Sequence, residues 1–424
     1  MPTNIALGAR GPRSMNAARS TLPSTRITAI DTLRGFAILG VLPVNIQGFA
    51  MISATFTNPA AYGDLTGWNF WIWFFTYSLG DSKLLALFSL LFGASLLFIQ
   101  QREEAGQAQR TTLHQLRRLG ILFVFGMVHA YLIWPGDVLV CYALCGTLLL
   151  PALKLPPRHL VLAGLFIFAV PTIGAINLSR DMDQWDMSDW QQAQQNWMPP
   201  TEQYQNELDA YRGNWLQQQS QRVPEAFNAQ TQSLPEWVLW RAAGLMLFGM
   251  ALFKLGVLTG KRPVQFYRYM TLFGLGLGAP IMFLNSWLWA SEQWSMEYFV
   301  RVSYLANYWL SLLIVSGYIG LTMWICQSGR FQRLTEALAN VGRMALSNYL
   351  LQSIICTLIF YGHGFGLFGK VNRTGQFIVV IAVWVLLVLL SNIWLKHFRY
   401  GPLEWLWRRG SSRNIVTNHP TTVS

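Results

Sequence analysis

About ten stretches of roughly twenty predominantly apolar residues run through this chain. Twenty apolar residues in a helix are long enough to cross the hydrocarbon core of a bilayer, where only helices or closed barrels satisfy their own backbone. The stretches lie near residues 33–54, 83–101, 114–134, 137–153, 159–178, 236–257, 268–290, 300–325, 344–361 and 376–396. Composition agrees: 53% of the residues are hydrophobic and 12% are charged, about half the charged share of a soluble domain. The expected fold is therefore all-α, a polytopic integral membrane bundle of about ten transmembrane helices.

The stretch WNFWIWFFTYSLG, residues 68–80, reads either as an eleventh span or as a short interfacial or re-entrant helix ending at Gly80. Charge places it. Arg10, Arg13, Arg19 and Arg26 precede the first span, and Arg102, Arg110, Arg117 and Arg118 follow residue 101. The positive-inside rule puts both groups on the cytoplasmic side, which leaves one net crossing between residues 54 and 102. Residues 68–80 are then expected as a short interfacial or re-entrant helix near the outer surface. Lys154, Arg158, Lys261, Arg262, Arg268, Arg330, Arg333 and Arg343 continue the alternation, as do Lys396, Arg399, Arg408 and Arg409. The expected location is a bacterial plasma membrane, multi-pass, with both termini cytoplasmic.

The same bias accounts for the net charge of +12. With no aromatic-basic module in the loops, nucleic acid is excluded as a partner; the lipid bilayer is the partner the composition demands. Cys141, Cys145, Cys326 and Cys356 lack metal-ligand spacing and read as small packing residues, with no disulfide framework and no metal site.

Five segments follow. Residues 1–29 read as a disordered cytoplasmic tail, 30–178 as an N-terminal membrane half with spans one to five, and 236–409 as a C-terminal half with spans six to ten. Residues 410–424 read as a second disordered tail. Between the halves lies 179–235, an extracytoplasmic insert rich in Gln, Trp and acid, whose helix formers suit either a helical cap or a spacer.

Ionisable groups at membrane depth cost about 2.5–3.5 kcal/mol on insertion scales and usually have a partner or a task. FGMVHAYLIWPGDVLV, residues 125–140, holds two. His129 lies near the outer end of one span, and Asp137 starts the next after the Pro135-Gly136 turn. Helices 8–10 Å apart let imidazole and carboxylate meet, and an Asp would orient such a His as a general base. The alternative has Asp137 capping its helix and His129 bonded to a carbonyl. In AIDTLRGFAILGVLPVNIQGFA, residues 29–50, Asp31 and Arg34 stand one turn apart, where they cap and snorkel, or meet an incoming phosphate or carboxylate. Deeper in that span, Pro43 frees a carbonyl that Asn45 or a bound group could take. Asp81 and Lys83 could pair or share a pocket. His363, in a glycine-rich loop, is a secondary candidate. FSLLFGASLLF (88–98) and LMLFGMALF (245–253) are faintly alike, as an old duplication would leave them.

IDTLRGFAILGVLPVNI (30–46), FSLLFGASL (88–96), FGMVHAYLIWPGDVLVCYAL (125–144), GRMALSNYLLQSII (342–355) and YGPLEWLWR (400–408) together resemble the YeiB-like membrane proteins, whose C-terminal half is the domain of unknown function 418. More distantly, the Asp-x-x-Arg-Gly entry with a polar residue deep in the first span resembles the transmembrane acyltransferase superfamily. In its acyltransferase-3 branch a catalytic His follows the Arg by eleven residues, where this chain has Asn45. In its heparan-glucosaminide acetyltransferase-like branch an Asn stands there and the His follows outside the span. No His occurs here before His114; His129 could serve instead if the fold brings span three beside span one.

The resemblance implies an acyltransferase: a donor such as acyl-CoA engaged near Asp31 and Arg34, and an acceptor (small molecule, glycan or lipid) at the outer face. His129 would act as base, Asp137 would orient it, and Asn45 would bind the carbonyl oxygen. No cofactor beyond that donor is implied. The alternatives are a transporter using a His–Asp proton relay, and a non-catalytic membrane protein.

Overall fold

A computed structural model describes residues 28–104, 111–411 and 418. The helices α1 (Thr28–Ala50), α2 (Gly67–Phe75), α3 (Lys83–Glu104), α4 (Thr111–Val128), α5 (Leu139–Leu148) and α6 (Pro157–Asp181) form the first half. Then come α7 (Met187–Trp197), α8 (Thr201–Arg212) and α9 (Trp215–Asn228). The second half comprises α10 (Leu239–Lys254), α11 (Val264–Ser291), the single turn α12 (Met296–Tyr298), α13 (Tyr304–Ser328), α14 (Gln332–Arg343), α15 (Ala345–Phe360), α16 (Arg373–His397) and α17 (Pro402–Ser411). α1 already begins at Thr28 and α17 runs to Ser411; the rest of both expected tails lies outside the described residues but for Asn418.

The expected all-α membrane bundle is what forms. Eight described helices are long and apolar enough to cross a membrane, or nine when α14 and α15, bent by 80°, count as one span. The remaining expected span, 137–153, is shorter than its apolar run suggested. α5 has 10 residues, and the chain continues as a 3₁₀ turn, Leu150–Lys154, because Pro151 cannot extend the helix. The larger difference concerns residues 68–80. They do not form a separate interfacial helix: α2, a π turn at Thr76–Gly80 and α3 run on as one element, Gly67–Gln101. The two-residue kink at Asp81–Ser82, with Ser82 at φ 64°, takes up the change of direction.

α1 lies at the centre, against α3, α13, α14, α15 and α16. Its approach to α14 is close enough to need glycine on both sides: a Cβ on Gly35 would lie 1.9 Å from the Leu338 carbonyl oxygen, and one on Gly342 1.9 Å from that of Asp31. α6 and α16 are peripheral, burying only 22% of their most apolar window against 56% for α1. Their remaining apolar surface faces outward, as lipid contact requires.

The acid- and Gln-rich insert is helical and packs down on one end of the bundle, here called the cap end. Asp186 and Asn214 close capping boxes at the starts of α7 and α9. Glu207 in α8 accepts from Ser53 N at 2.7 Å and from its Oγ at 3.2 Å. Arg212 Nε donates to the Phe368 carbonyl at 2.8 Å, tying α8 to the loop between α15 and α16.

Candidate functional site

At the cap end α4 widens into a π turn, His129–Ile133. Such turns insert one residue into the helical ladder and recur at functional sites. The chain then extends at Trp134, reverses through Pro135 and Gly136, and enters α5. Asp137 does two jobs there. Its Oδ2 accepts from Val140 N at 2.8 Å, which caps α5, while its Oδ1 stands 2.9 Å from His129 Nδ1. One carboxylate therefore makes both contacts expected of Asp137, the bond at the start of α5 and the approach to His129, while no backbone carbonyl among the described residues holds the imidazole.

The other ring nitrogen finds a partner that sequence reasoning did not single out. His129 Nε2 lies 2.9 Å from Ser353 Oγ, on α15. With a carboxylate at Nδ1, the proton belongs on Nδ1, which leaves Nε2 as acceptor for the serine O–H. The order hydroxyl, imidazole, carboxylate is that of a hydrolytic triad, recognised by geometry and not by position in the chain. His129 is fully buried, and the Asp137 and Ser353 side chains nearly so. Tyr349, its ring 5.0 Å from the imidazole, and Trp134 at 6.2 Å wall the site. The clue to Ser353 was its place in a polar series, Ser347, Asn348, Gln352 and Ser353, inside an apolar run; those four spread over two helix faces, so spacing alone could not choose among them.

The cap sits on this turn. Trp215 Nε1 and Arg222 Nη1 each donate to the Leu132 carbonyl at 3.1 Å. Arg222, itself fully buried, also holds Gln218 Oε1 at 2.8 Å, which in turn meets His363 Nδ1 at 3.0 Å. His363 thus belongs to the contact between cap and bundle, and its burial lowers its pKa.

The remaining candidates lie elsewhere. Arg34 pairs with Asp31 at 3.0 Å and donates to Ser95 Oγ at 2.6 Å, at the end of α1 remote from the cap. Its side chain keeps 27% exposure. Asn45 is half-buried and makes no side-chain hydrogen bond among the described residues. The carbonyl that Pro43 frees goes to Trp384, not to Asn45. One small cavity between α1, α2 and α16 is lined by Pro43, Gln47 and Arg373, and another by Gln47, Tyr77 and Asp81; neither touches Asn45 or His129. The structure joins His129 to Asp137 and Asp31 to Arg34, and leaves Asn45 apart from both pairs.

A family model described as "Protein of unknown function (DUF418)" matches residues 252–414. Over nearly its whole length the chain is similar to "Uncharacterized protein YeiB" of Escherichia coli K12, 33% identical over 390 residues that cover 91% of this chain and 96% of that one. It is similar to "Uncharacterized protein YxaH" of Bacillus subtilis 168, 30% identical over 421 residues, covering 93% and 96%. An "Uncharacterized 39.9 kDa protein in amylase 3'region" of Bacillus acidopullulyticus is 26% identical, covering 90% and 93%. No solved structure matches.

Proposed function

The chain belongs to the YeiB-like DUF418 family of integral membrane proteins, and on that premise we propose that it transfers an acyl group from a thioester donor such as acyl-CoA to an acceptor hydroxyl or amine. The observation that carries this reading is the imidazole of His129 held between Asp137 and Ser353, each at 2.9 Å. In the first step Ser353 Oγ attacks the thioester carbonyl carbon and His129 Nε2 takes the hydroxyl proton. The carbon–sulfur bond breaks, His129 passes that proton to the departing sulfur, which leaves as the thiol, and an ester remains on Ser353. An acceptor then gives its proton to His129 and attacks that ester; the acyl–oxygen bond breaks and His129 returns the proton to Ser353 Oγ, which restores the serine. Asp137 keeps the imidazole in the reactive tautomer and stabilises its charged form. The cap over Leu132 excludes water, which would otherwise hydrolyse the acyl-serine. Arg34 is assigned to the donor's phosphates; Asn45, which has no side-chain partner among the described residues but stands apart from the His129 pair, takes no part in the step at Ser353. In this reading the cap end is extracytoplasmic in a bacterial plasma membrane and both termini are cytoplasmic.

Purified protein incubated with acetyl-CoA labelled in the acetyl group tests the proposal. Label should become covalently attached to wild-type protein and be absent from Ser353→Ala and His129→Ala. Equal labelling of Ser353→Ala, or no labelling and no donor cleavage in wild type, overturns it.

A second reading, a proton-coupled transporter, is favoured by one observation. A Cβ on Gly93 would lie 2.1 Å from the Met246 carbonyl oxygen, and one on Gly249 1.9 Å from that of Leu90, so α3 and α10 meet reciprocally as helices of two related halves would. There His129 and Asp137 would carry the proton. Substrate-driven proton uptake into proteoliposomes, lost in His129→Ala, would decide for it.

A further inference from the structure

The contact between α3 and α10 extends beyond its glycines. With Phe92-Gly93 aligned on Phe248-Gly249, Leu90 is the counterpart of Met246, so the two close approaches are one contact repeated about a local two-fold axis. The relation carries into the neighbouring helices. CYALC in α5 and NYWLS in α13 place Tyr142 and Tyr308 alike. Cys141 and Cys145 lie against the carbonyls of Val238 and Leu239 at the start of α10, at 4.0 and 3.5 Å. Their counterparts Asn307 and Ser311 face Lys83 at the start of α3, and Arg241. The two seams are equivalent in place and opposite in chemistry: thiols close one, and charges occupy the other.

Those charges do not balance. Lys83, fully buried, donates to the Tyr77 carbonyl at 3.0 Å and to Asn307 Oδ1. Arg241, 7% exposed, donates to the Ser82 carbonyl at 2.8 Å, reaches Ser82 Oγ at 3.3 Å and Ser311 Oγ at 3.5 Å, and stacks over the Tyr308 ring at 5.3 Å. Its Nε is buried without an acceptor among the described residues. Asp81 is the carboxylate of the group, and it meets neither cation directly. It accepts from Asn307 Nδ2 at 2.6 Å and from Ser82 Oγ at 3.3 Å. Among the described residues no acid forms an ion pair with Lys83 or Arg241, so two cations share one indirect counter-charge at membrane depth. An excess cation there is costly unless something anionic answers it. Asp81 also lines a small cavity with Thr55, Trp73, Tyr77 and Trp289, so the carboxylate end of the cluster borders open space.

We infer that Lys83 and Arg241 form a binding site for a small monocarboxylate, with Asp81, relayed through the neutral amide of Asn307, as the counter-charge when the site is empty. One surplus positive charge matches one carboxylate; a phosphate dianion would leave the site negative. The inference does not involve His129 or Ser353 and stands apart from the acyl-transfer reading.

The test is the thermal unfolding midpoint of the purified protein in lipid nanodiscs, titrated with sodium acetate against sodium chloride at equal ionic strength. Wild type should show a saturable acetate-specific rise, absent in Lys83→Gln and Arg241→Gln. Asp81→Asn, which removes the competing carboxylate, should bind acetate more tightly, by about tenfold or more; this variant serves even if the cation variants do not fold. Three results overturn the inference: no acetate-specific rise, a rise of equal size in Arg241→Gln, or weaker acetate binding in Asp81→Asn. A response to inorganic phosphate with none to acetate overturns it too.

Discussion

The indole N–H of Trp384 donates to the Leu39 carbonyl over 2.7 Å, taking the acceptor that Pro43 leaves without its helical partner. The proline-broken first span is thereby repaired by a helix near the other end of the chain. Replacing Trp384 with Phe should cost about 1–3 kcal/mol, the penalty for stranding a buried carbonyl. In a Pro43→Ala background the alanine N–H can take the Leu39 oxygen, so the cost of Trp384→Phe should shrink. A double-mutant cycle of thermal unfolding measures this, and strictly additive losses would show that the bond is not the reason for the tryptophan.

Asp137 both caps α5 and orients His129, and the two roles separate by substitution. Asn caps about as well as Asp, so Asp137→Asn should unfold within about 0.5 kcal/mol of wild type. Its acyl-transfer rate should nonetheless fall by about 10²-fold or more, towards the 10²–10⁴-fold expected for His129→Ala. Combining the two should add little, because residues acting as a unit are non-additive. A fully active His129→Gln protein would leave the pair a purely structural role.

At Gly249 a methyl group has nowhere to go. Gly249→Ala should destabilise the bundle by about 1–3 kcal/mol through overpacking, and Gly93→Ala should behave alike because the contact is reciprocal. Gly120, with nothing among the described residues within 4 Å of its would-be Cβ, is the control: Gly120→Ala should be neutral or stabilising by up to about 1 kcal/mol. Unfolding midpoints that rank the three the other way would refute the crossing.

The grip of the cap on the bundle should depend on pH through Glu207. Burial, reinforced by the nearby charge of Glu225, pushes Glu207 up from 4.5 to about 7. The folded state then holds a proton that the unfolded state releases between those values. Stability from this group is full below pH 4.5 and is lost as pH rises through about 7. Glu207→Gln should flatten that part of the stability profile. An unchanged profile would mean that the proton is held elsewhere.

Much of this molecule was legible in order along the chain. Apolar runs of bilayer length dictated an all-α membrane bundle, because a backbone surrounded by lipid must bond to itself within each helix. His129 and Asp137 could be paired from eight residues' separation, since a Pro-Gly turn returns the chain to the same end. Asp31 and Arg34 needed only helical spacing. The faint likeness of 88–98 to 245–253 suggested a duplication and not a contact, yet the two segments meet through their glycines in the folded chain.

What only the tertiary structure decided lies across long separations. Ser353 reaches His129 over 224 residues and Trp384 reaches Leu39 over 345, through packing directions that hydropathy does not encode, since lipid-facing and bundle-facing apolar residues look alike in sequence. The continuous run from α2 through the kink into α3 was hidden for a related reason: charge counts crossings, but it cannot tell a helix that turns back at the surface from one that continues through it. Lys83 and Asp81 stand two residues apart and do not pair directly; Asn307, brought in by α13, stands between them. Local sequence determines which elements form and how deep they sit. Which polar side chains meet inside is set by helix rotation and register, and those are fixed only when every helix packs at once.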